Sequence, residues 1–237
     1  MRFPFPVSSS DRHAHATALA GDGGQRMPGA MNWRRVAVAA AALAGLAGAG
    51  YWAVTCFNLN PTREVGAVVD EFNGVKVYYN GGVNNSEGRN LYRDGYNLGI
   101  KYQCVEFVKR YYFERFSHRM PDPYGHARDF YDPQTAQGAL NGKRALVQYR
   151  NGQDEKPKVD DLIVFAPTLF NPYGHVAIVA GVSDREVEIV QQNPGPFADS
   201  RARLAMDATG GRWTVANGAL GWLRPAAASP SAVSEPH

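Results

Sequence analysis

The order of periodic segments constrains the fold of this chain more than any other feature of its sequence. Over residues 103–116 apolar residues recur at intervals of three and four, which is typical of an amphipathic helix. Short β-branched and apolar runs follow, and their turn-forming boundaries predict strands. The strands are predicted at 145–149, 161–165, 175–182, 186–192 and 220–223, with one more at 74–79 before the helix and a short helix at 126–131. One main helix before a series of strands indicates an α+β domain with an antiparallel sheet.

The composition is that of one globular domain. Of the 237 residues, 44% are hydrophobic and 20% are charged, which provides enough apolar material for a single well-buried core. The net charge of +3 is small for this length, and no basic stripe is interleaved with aromatic residues, so nucleic acid is excluded as a partner. Two cysteines form neither a disulfide framework nor a cysteine-rich zinc site.

An uncharged apolar segment near the N-terminus predicts a membrane anchor. It covers residues 36–54 and follows Arg34 and Arg35, and its length is close to the ~20 residues that cross a bilayer core. The positive flank keeps the N-terminus in the cytoplasm, which gives a single-pass protein of the bacterial inner membrane with a periplasmic domain. Three alternatives stay open: a cleaved secretory peptide, a lipoprotein signal ending at Cys56, and a buried core helix.

The segments on either side of the predicted domain are less regular. Residues 1–30 are rich in Ser, Gly, Ala and His without periodicity, which predicts disorder or an incorrectly assigned start upstream of Met31. The predicted organisation is therefore a disordered or spurious segment at 1–30, a signal anchor at 31–57, a linker at 58–73, a folded domain at 74–224 and a disordered tail at 225–237.

Cys104 and His175 are the residues best suited to covalent chemistry. Cys104 lies at the start of the predicted helix, where the backbone dipole and unpaired N–H groups favour the thiolate, the attacking form of cysteine. His175 opens a predicted strand and can take the thiol proton. The N–H groups at the helix start can stabilise an oxyanion, and the side-chain amide of Gln103 can assist them.

Strand parity predicts which groups orient the imidazole. If the hairpin turn pairs Val182 with Glu186, the register brings two amides to the face of His175. Asn193 is then directly opposite the histidine, and Gln191 is diagonal to it. Either amide can accept a hydrogen bond from the imidazole, and neither carries a negative charge. This suits a thiolate–imidazolium pair, because the histidine in such a pair is already doubly protonated.

Five stretches between residues 102 and 224 carry a family resemblance. They are YQCVEFVKRYY, DDLIVFAP, GHVAIVAGV, VEIVQQN and LGWLRP. In this order they resemble the CHAP family of cysteine- and histidine-dependent amidohydrolases and peptidases. Within the family they look most like the amidase domain of bifunctional glutathionylspermidine synthetase/amidase. The folded domain at 74–224 is accordingly expected to be a CHAP domain.

The resemblance implies a fold and a site. The fold is papain-like, as in CHAP and NlpC/P60 domains, with the nucleophile helix packed on an antiparallel sheet. Cys104 matches the nucleophile and His175 the base, acting through a thioester intermediate without a cofactor, and no metal ligand is assigned. The family's acidic third residue falls at Gln191, which is an amide here, and Asn193 is the substitute considered beside it.

Three functions are compatible with these features. Other members of the family cleave amide bonds of peptidoglycan, and a domain tethered outside the cytoplasm meets that polymer, so a peptidoglycan peptide or a small peptide-like amide is the expected substrate. The first alternative is an amidase acting on a glutathione–polyamine conjugate. The second is a catalytically inactive module that binds the cell wall, which the uncharged Gln191 favours.

Overall fold

The computed structural model describes residues 32–226. The predicted disorder of residues 1–30 and of most of the tail at 225–237 lies outside these residues. Helix α1 (Trp33–Cys56) is long and apolar enough to cross a membrane, and none of its apolar window is buried, so it is not a core helix. A signal sequence has the same length and composition. The chain divides into two compact units between Ala44 and Gly45, within this helix.

The second unit is a mixed α+β structure, as the order of predicted segments indicates. Its elements are β1 (Val68–Phe72), β2 (Val75–Tyr78), β3 (Arg89–Leu91), β4 (Asn97–Ile100), α2 (Cys104–Phe116), a 3₁₀ helix (Ala127–Phe130), β5 (Ala139–Asn141), β6 (Leu146–Arg150), β7 (Leu162–Phe165), β8 (His175–Val182), β9 (Glu186–Val190), β10 (Arg201–Thr209), β11 (Arg212–Val215) and β12 (Ala219–Arg224). Eight strands form one antiparallel sheet in the order β11-β10-β9-β8-β7-β12-β6-β5. The pairs β1–β2 and β3–β4 are separate hairpins.

Helix α2 packs on one face of the large sheet. Phe107, Val108, Tyr111 and Tyr112 are fully buried, and each contributes about 1.5–3 kcal/mol by leaving water. The hydroxyl of Tyr112 also fixes the position of the helix, because it donates to the Asp160 carbonyl at 2.9 Å and accepts from the next strand's backbone. The C-terminal half of α2 is therefore attached to the start of β7.

Both faces of the sheet are covered, which explains the continuous apolar run of β7. Leu162 and Val164 pack on the α2 side, whereas Ile163 and Phe165 belong to a second core cluster on the opposite face. That second cluster is completed by β9, β10 and β11. A strand buried on both sides is hydrophobic at every position rather than at alternate ones.

The predicted linker at 58–73 is wrong in its second half. Residues 68–72 form β1, which pairs with β2 in antiparallel register, and Phe72 packs against the core. Asp70 forms an ion pair with Arg201, at 2.8 Å. The charge of Asp70 is thus neutralised across the structure, and Val69 and Phe72 are half-buried.

The register between β8 and β9 changes along the hairpin. At the turn Val182 pairs with Val187, one residue from the predicted partner Glu186. A bulge between Val179 and Gly181 shifts the pairing, so that Val179 faces Ile189, as the predicted register requires. A bulge adds one residue to one strand and therefore changes the register beyond it. The predicted pairing of β8 with β9 is therefore observed toward the His175 end of β8. It is not observed next to the turn.

Substitution of Gly221 tests how closely the neighbouring strands β12 and β6 pack. A Cβ at this position would overlap the carbonyl oxygen of Tyr149 on the neighbouring strand β6. We expect Gly221→Ala to lower the free energy of unfolding by about 3 kcal/mol, because backbone atoms must move to accommodate the methyl group. Gly142→Ala is the matched control, since nothing lies within 4 Å of the corresponding Cβ. Urea unfolding of both variants measures the difference, and equal midpoints would contradict this packing.

Candidate active site

Cys104 lies at the first residue of α2 and lines a cleft of about 370 Å³. Gln103 precedes it in an extended conformation and makes no side-chain cap, so the first-turn N–H groups are not taken by a capping side chain. The backbone N–H groups of Val176, Val105 and Cys104 itself lie near enough to the sulfur to lower its pKa. The effect of the Val176 N–H group indicates that the sulfur lies near the start of β8, where Val176 follows His175 in the chain.

Burial dominates the titration of Cys104. Loss of hydration raises the pKa of the thiol to about 11, and the three backbone N–H groups oppose this rise without reversing it. The sequence predicted a thiolate favoured by the helix start. The helix start does direct N–H groups at the sulfur, but their effect is smaller than the cost of removing a thiolate from water.

A glycine determines how the chain enters β8. Gly174 has φ +76°, and a Cβ there would lie 2.8 Å from the carbonyl oxygen of Phe165 and 3.1 Å from the backbone nitrogen of Arg128. Only glycine tolerates both the positive φ and this close approach. The Gly-His pair that opens β8 therefore reflects the packing of the strand against β7 and the 3₁₀ helix.

Gln191 sets the tautomer of His175. Its side-chain nitrogen donates to the carbonyl of Asp199 at 3.1 Å, which leaves the side-chain oxygen facing the imidazole. That oxygen lies 3.0 Å from Nε2 of His175 and must accept from it. A neutral imidazole has one N–H group, so Nδ1 carries the lone pair. The arrangement prepares Nδ1 to accept a proton.

His175 is neutral at rest. Its ring is only partly exposed and packs near Phe165, with 6.1 Å between the ring centroids. Desolvation lowers the pKa of His175 to about 4, and the hydrogen bond with Gln191 opposes the shift only in part. Within residues 32–226 its ring bonds Gln191, and no hydrogen bond joins it to Cys104. The predicted thiolate–imidazolium pair is thus replaced by a neutral thiol and a neutral imidazole.

Asn193 does not orient the histidine, contrary to one of the two sequence-based alternatives. Strand β9 ends at Val190, and Asn193 adopts a left-handed conformation with φ +58° that turns it away from His175. Its side-chain nitrogen donates to Gln103 Oε1 at 2.7 Å and to the Val83 carbonyl at 2.9 Å. The alternation of side chains between the two faces of a strand does not extend to Asn193, because β9 stops before this residue.

The predicted oxyanion role of the Gln103 amide is also wrong. The side-chain nitrogen of Gln103 donates to the carbonyls of Val83 and Asn85, at 3.2 and 2.6 Å. Both of its N–H groups are thereby engaged, and neither is available for a substrate oxygen. The donors that remain at this end of α2 are backbone N–H groups.

Gln192 is a residue that the sequence analysis did not single out. It is fully buried, and its side-chain nitrogen donates to the Gln103 carbonyl at 3.0 Å and to Glu106 at 2.9 Å. Glu106 in turn pairs with Arg110 at 2.6 Å, one helical turn later. Gln192 therefore ties the end of β9 to the first turn of α2. The feature of the sequence that could have identified Gln192 was its position between two other amide side chains, those of Gln191 and Asn193.

Residues from several loops and elements that are separate in the chain form the cleft walls. They are Val83, Asn84, Ser86, Arg89, Gly99, Ile100, Gln103, Cys104, Val105, Pro123, Tyr124, Gly125, His126, Ala127, Asn171, Tyr173, Gly174 and Asn193. Arg89 and His126 were not predicted to share a cleft with Cys104. Among the described residues, no three side chains of His, Cys, Asp or Glu form a group able to hold a metal ion.

Alkylation of Cys104 distinguishes a neutral thiol from a preformed thiolate. We expect iodoacetamide to label Cys104 slowly at pH 6–7, with a rate that rises continuously above pH 9, because the thiol pKa is raised to about 11. Cys56→Ser removes the other cysteine, and mass spectrometry measures the rate. The same variant unfolded in urea supplies the reference for an ordinary cysteine. A fast, pH-independent rate between pH 5 and 7 would show a thiolate instead.

Comparisons with known proteins identify a matching domain within the chain. Residues 92–193 match the model of the CHAP domain. The chain is 30% identical over 158 residues to trypanothione synthetase of Crithidia fasciculata, covering 59% of this chain and 24% of that protein. It is also 30% identical over 110 residues to glutathionylspermidine synthase of the same organism, covering 41% of this chain and 14% of that protein. The chain thus spans a quarter or less of these relatives.

A solved structure, that of the wild-type endolysin LysIME-EF1, is 23% identical with a TM-score of 0.34 and covers 58% of each chain. The matched region 92–193 contains Cys104, His175 and Gln191. Residues 92–193 of this chain therefore match the CHAP domain, a domain of cysteine- and histidine-dependent amidohydrolases and peptidases.

Proposed function

We propose that the protein is a membrane-anchored, extracytoplasmic amidohydrolase that cleaves amide bonds of peptidoglycan peptides with Cys104 and His175. The observation that carries the proposal is the fixed tautomer of His175, whose Nδ1 is left as an acceptor. The next residue, Val176, has a backbone N–H group that lowers the pKa of Cys104. In this proposal residues 31–57 anchor the protein, and residues 74–224 form the catalytic domain.

The proposed reaction begins with attack of Cys104 Sγ on the carbonyl carbon of the amide. His175 Nδ1 takes the thiol proton as the S–C bond forms, and backbone N–H groups at the start of α2 stabilise the oxyanion. The C–N bond then breaks, the imidazolium returns the proton to the leaving amine, and a thioester remains. Water attacks the thioester while His175 accepts its proton. The carboxylic acid product leaves, and the thiol is regenerated.

The neutral resting pair is consistent with general-base catalysis. A thiol with a raised pKa and an imidazole with a lowered pKa do not exchange a proton before substrate arrives. Proton transfer then accompanies attack, when the developing oxyanion and the C–S bond compensate for the charge on the imidazole. Exclusion of water by the substrate strengthens each of these interactions.

A second substrate class is favoured by the comparisons. The two relatives are named for the synthesis of trypanothione and of glutathionylspermidine, both of which join a glutathione unit to a polyamine by an amide bond. An amidase acting on such a conjugate would use the same two residues. Incubation of the purified protein with defined peptidoglycan fragments and, separately, with glutathionylspermidine distinguishes the substrates by the products released.

Substitution of the two proposed catalytic residues tests the reaction. We expect Cys104→Ala to reduce amide cleavage to background and His175→Ala to reduce kcat by about 10²–10⁴-fold. His126→Ala is the matched control, because this histidine lines the cleft that contains Cys104 and is not assigned a proton-transfer role. Cleavage that persists in folded Cys104→Ala protein would refute the proposal, as would a loss in His126→Ala equal to that in His175→Ala.

Gln191 offers a test of the base through pH dependence. We expect kcat/KM of the natural sequence to fall only as the pH approaches 4, because protonated His175 cannot accept the thiol proton. Gln191→Glu places a carboxylate beside the imidazole, which favours its charged form and raises its pKa. The acid limb should therefore move up by about one unit or more. In Gln191→Ala we expect a lower kcat without an upward shift, because orientation is lost but no charge is added.

The alternative function, a catalytically inactive module that binds the cell wall, predicts the opposite results for these variants. If Gln191 marks a site that has lost its activity, then Cys104→Ala changes nothing that can be measured, and Gln191→Glu creates cleavage where none existed. The natural sequence, assayed on both substrates before any variant is made, separates this case from an active enzyme.

A further inference from the structure

We propose that Arg89 binds a carboxylate of the substrate in the cleft beside Cys104, so that the domain selects amides of acidic compounds. This deepens the proposed function and rests on it. Arg89 and Cys104 line the same cleft of about 370 Å³. Within the described residues, neither Asp nor Glu contributes to the walls of that cleft. A guanidinium that faces a cleft without acidic side chains attracts an anion.

The position of Arg89 is fixed relative to the nucleophile. Arg89 is the first residue of β3, and its neighbour Asn90 donates from its side chain to Glu106 at 2.8 Å. Glu106 belongs to the first turn of α2, two residues after Cys104. Successive residues of a strand project to opposite sides, so the bond that attaches Asn90 to the helix leaves Arg89 on the other side of β3. There Arg89 reaches the cleft.

The guanidinium is held in place but not neutralised. It lies over the ring of Tyr124, 5.4 Å from the centroid, and one nitrogen is 3.5 Å from Asn97 Oδ1. The neighbouring Arg119 pairs with Asp94, and Arg110 pairs with Glu106. Arg89 forms no comparable ion pair with any carboxylate of residues 32–226. Most of its five N–H donors therefore remain available for a ligand.

Positive charge is concentrated at this end of the cleft. Behind the wall, Lys109 is buried and donates to the carbonyls of Asn97 and Pro123. The pKa of Lys109 is lowered to about 8, mainly by burial and also by Arg144 and Arg89, while Asp122 opposes the shift. An anion bound at Arg89 would relieve the repulsion among these cations.

The chemistry of arginine identifies the ligand. A planar guanidinium binds a carboxylate with two parallel hydrogen bonds, and a neutral carboxamide cannot replace the charge. The structure thus favours a substrate with a free carboxylate close to the amide that is cleaved. Both proposed substrate classes contain glutamyl carboxylates, so the selection applies to either.

The experiment compares two peptides that differ only in this carboxylate. One is L-alanyl-γ-D-glutamyl-L-lysine amide with a free α-carboxylate on the glutamyl residue, and the other carries an α-carboxamide at the same position. Calorimetry measures their binding to Cys104→Ala protein, in which no turnover occurs. We expect the carboxylate peptide to bind about tenfold more tightly, and Arg89→Gln to abolish the difference. Arg93→Gln is the matched control, since Arg93 is exposed on the same hairpin and does not line the cleft.

The outcomes separate this inference from the proposed function. A carboxylate preference that depends on Arg89, together with failure of the intact protein to cleave either peptide, would support the binding site and contradict the peptidase. Cleavage of both peptides with equal kcat/KM and equal affinity would contradict the site and support the peptidase. Equal affinity for the two peptides, including no binding of either, overturns the inference. So does an effect of Arg93→Gln as large as that of Arg89→Gln.

Discussion

Three consecutive amides at the end of β9 join the two halves of the candidate site, and the geometry of the site depends on them. Gln191 binds the ring of His175, Gln192 binds the first turn of α2, and Asn193 binds the side chain of Gln103. The histidine and the cysteine come from elements that are 71 residues apart in the chain, since 175 − 104 = 71. A short segment that contacts both elements sets their separation more directly than the packing of helix on sheet, because hydrogen bonds constrain direction as well as distance.

The uncharged character of these amides suits a buried site. A carboxylate in place of Gln191 would be costly to desolvate unless the imidazole were protonated, and it would therefore favour an ion pair before substrate binds. The amide fixes the tautomer of His175 and stabilises its charged form less than burial destabilises it, so both groups of the candidate site rest in their neutral forms. A site of this kind is less reactive toward small electrophiles, and its reactivity depends on the interactions that substrate brings. Loss of the acidic residue changes when the proton moves rather than removing the base.

The sequence predicted the elements whose periodicity is set by burial on one or both faces. Helix α2 was placed within one residue and β8 at its observed bounds, because their apolar residues face a core. Strand β10 was missed: only Leu204 and Met206 are buried in it, and polar residues surround them. The bulge in β8 left no signal in the sequence, since it depends on how two strands pair. Asn193 and Gln103 were misassigned because their partners, Val83 and Asn85, lie in an irregular loop that periodicity does not position.

The distribution of cleft residues along the chain explains why family membership does not determine the substrate. The residues to which we assign chemical roles, Cys104, His175 and Gln191, all lie within the matched region 92–193. One wall of the cleft, which includes Val83 and Arg89, precedes that region. This wall is attached to the site through side-chain contacts such as that of Asn90 with Glu106, so its exposed groups can change without disturbing the nucleophile helix. In the proposed function, the segment 92–193 therefore supplies the reacting groups, and the wall that includes Val83 and Arg89 contributes to the choice of substrate.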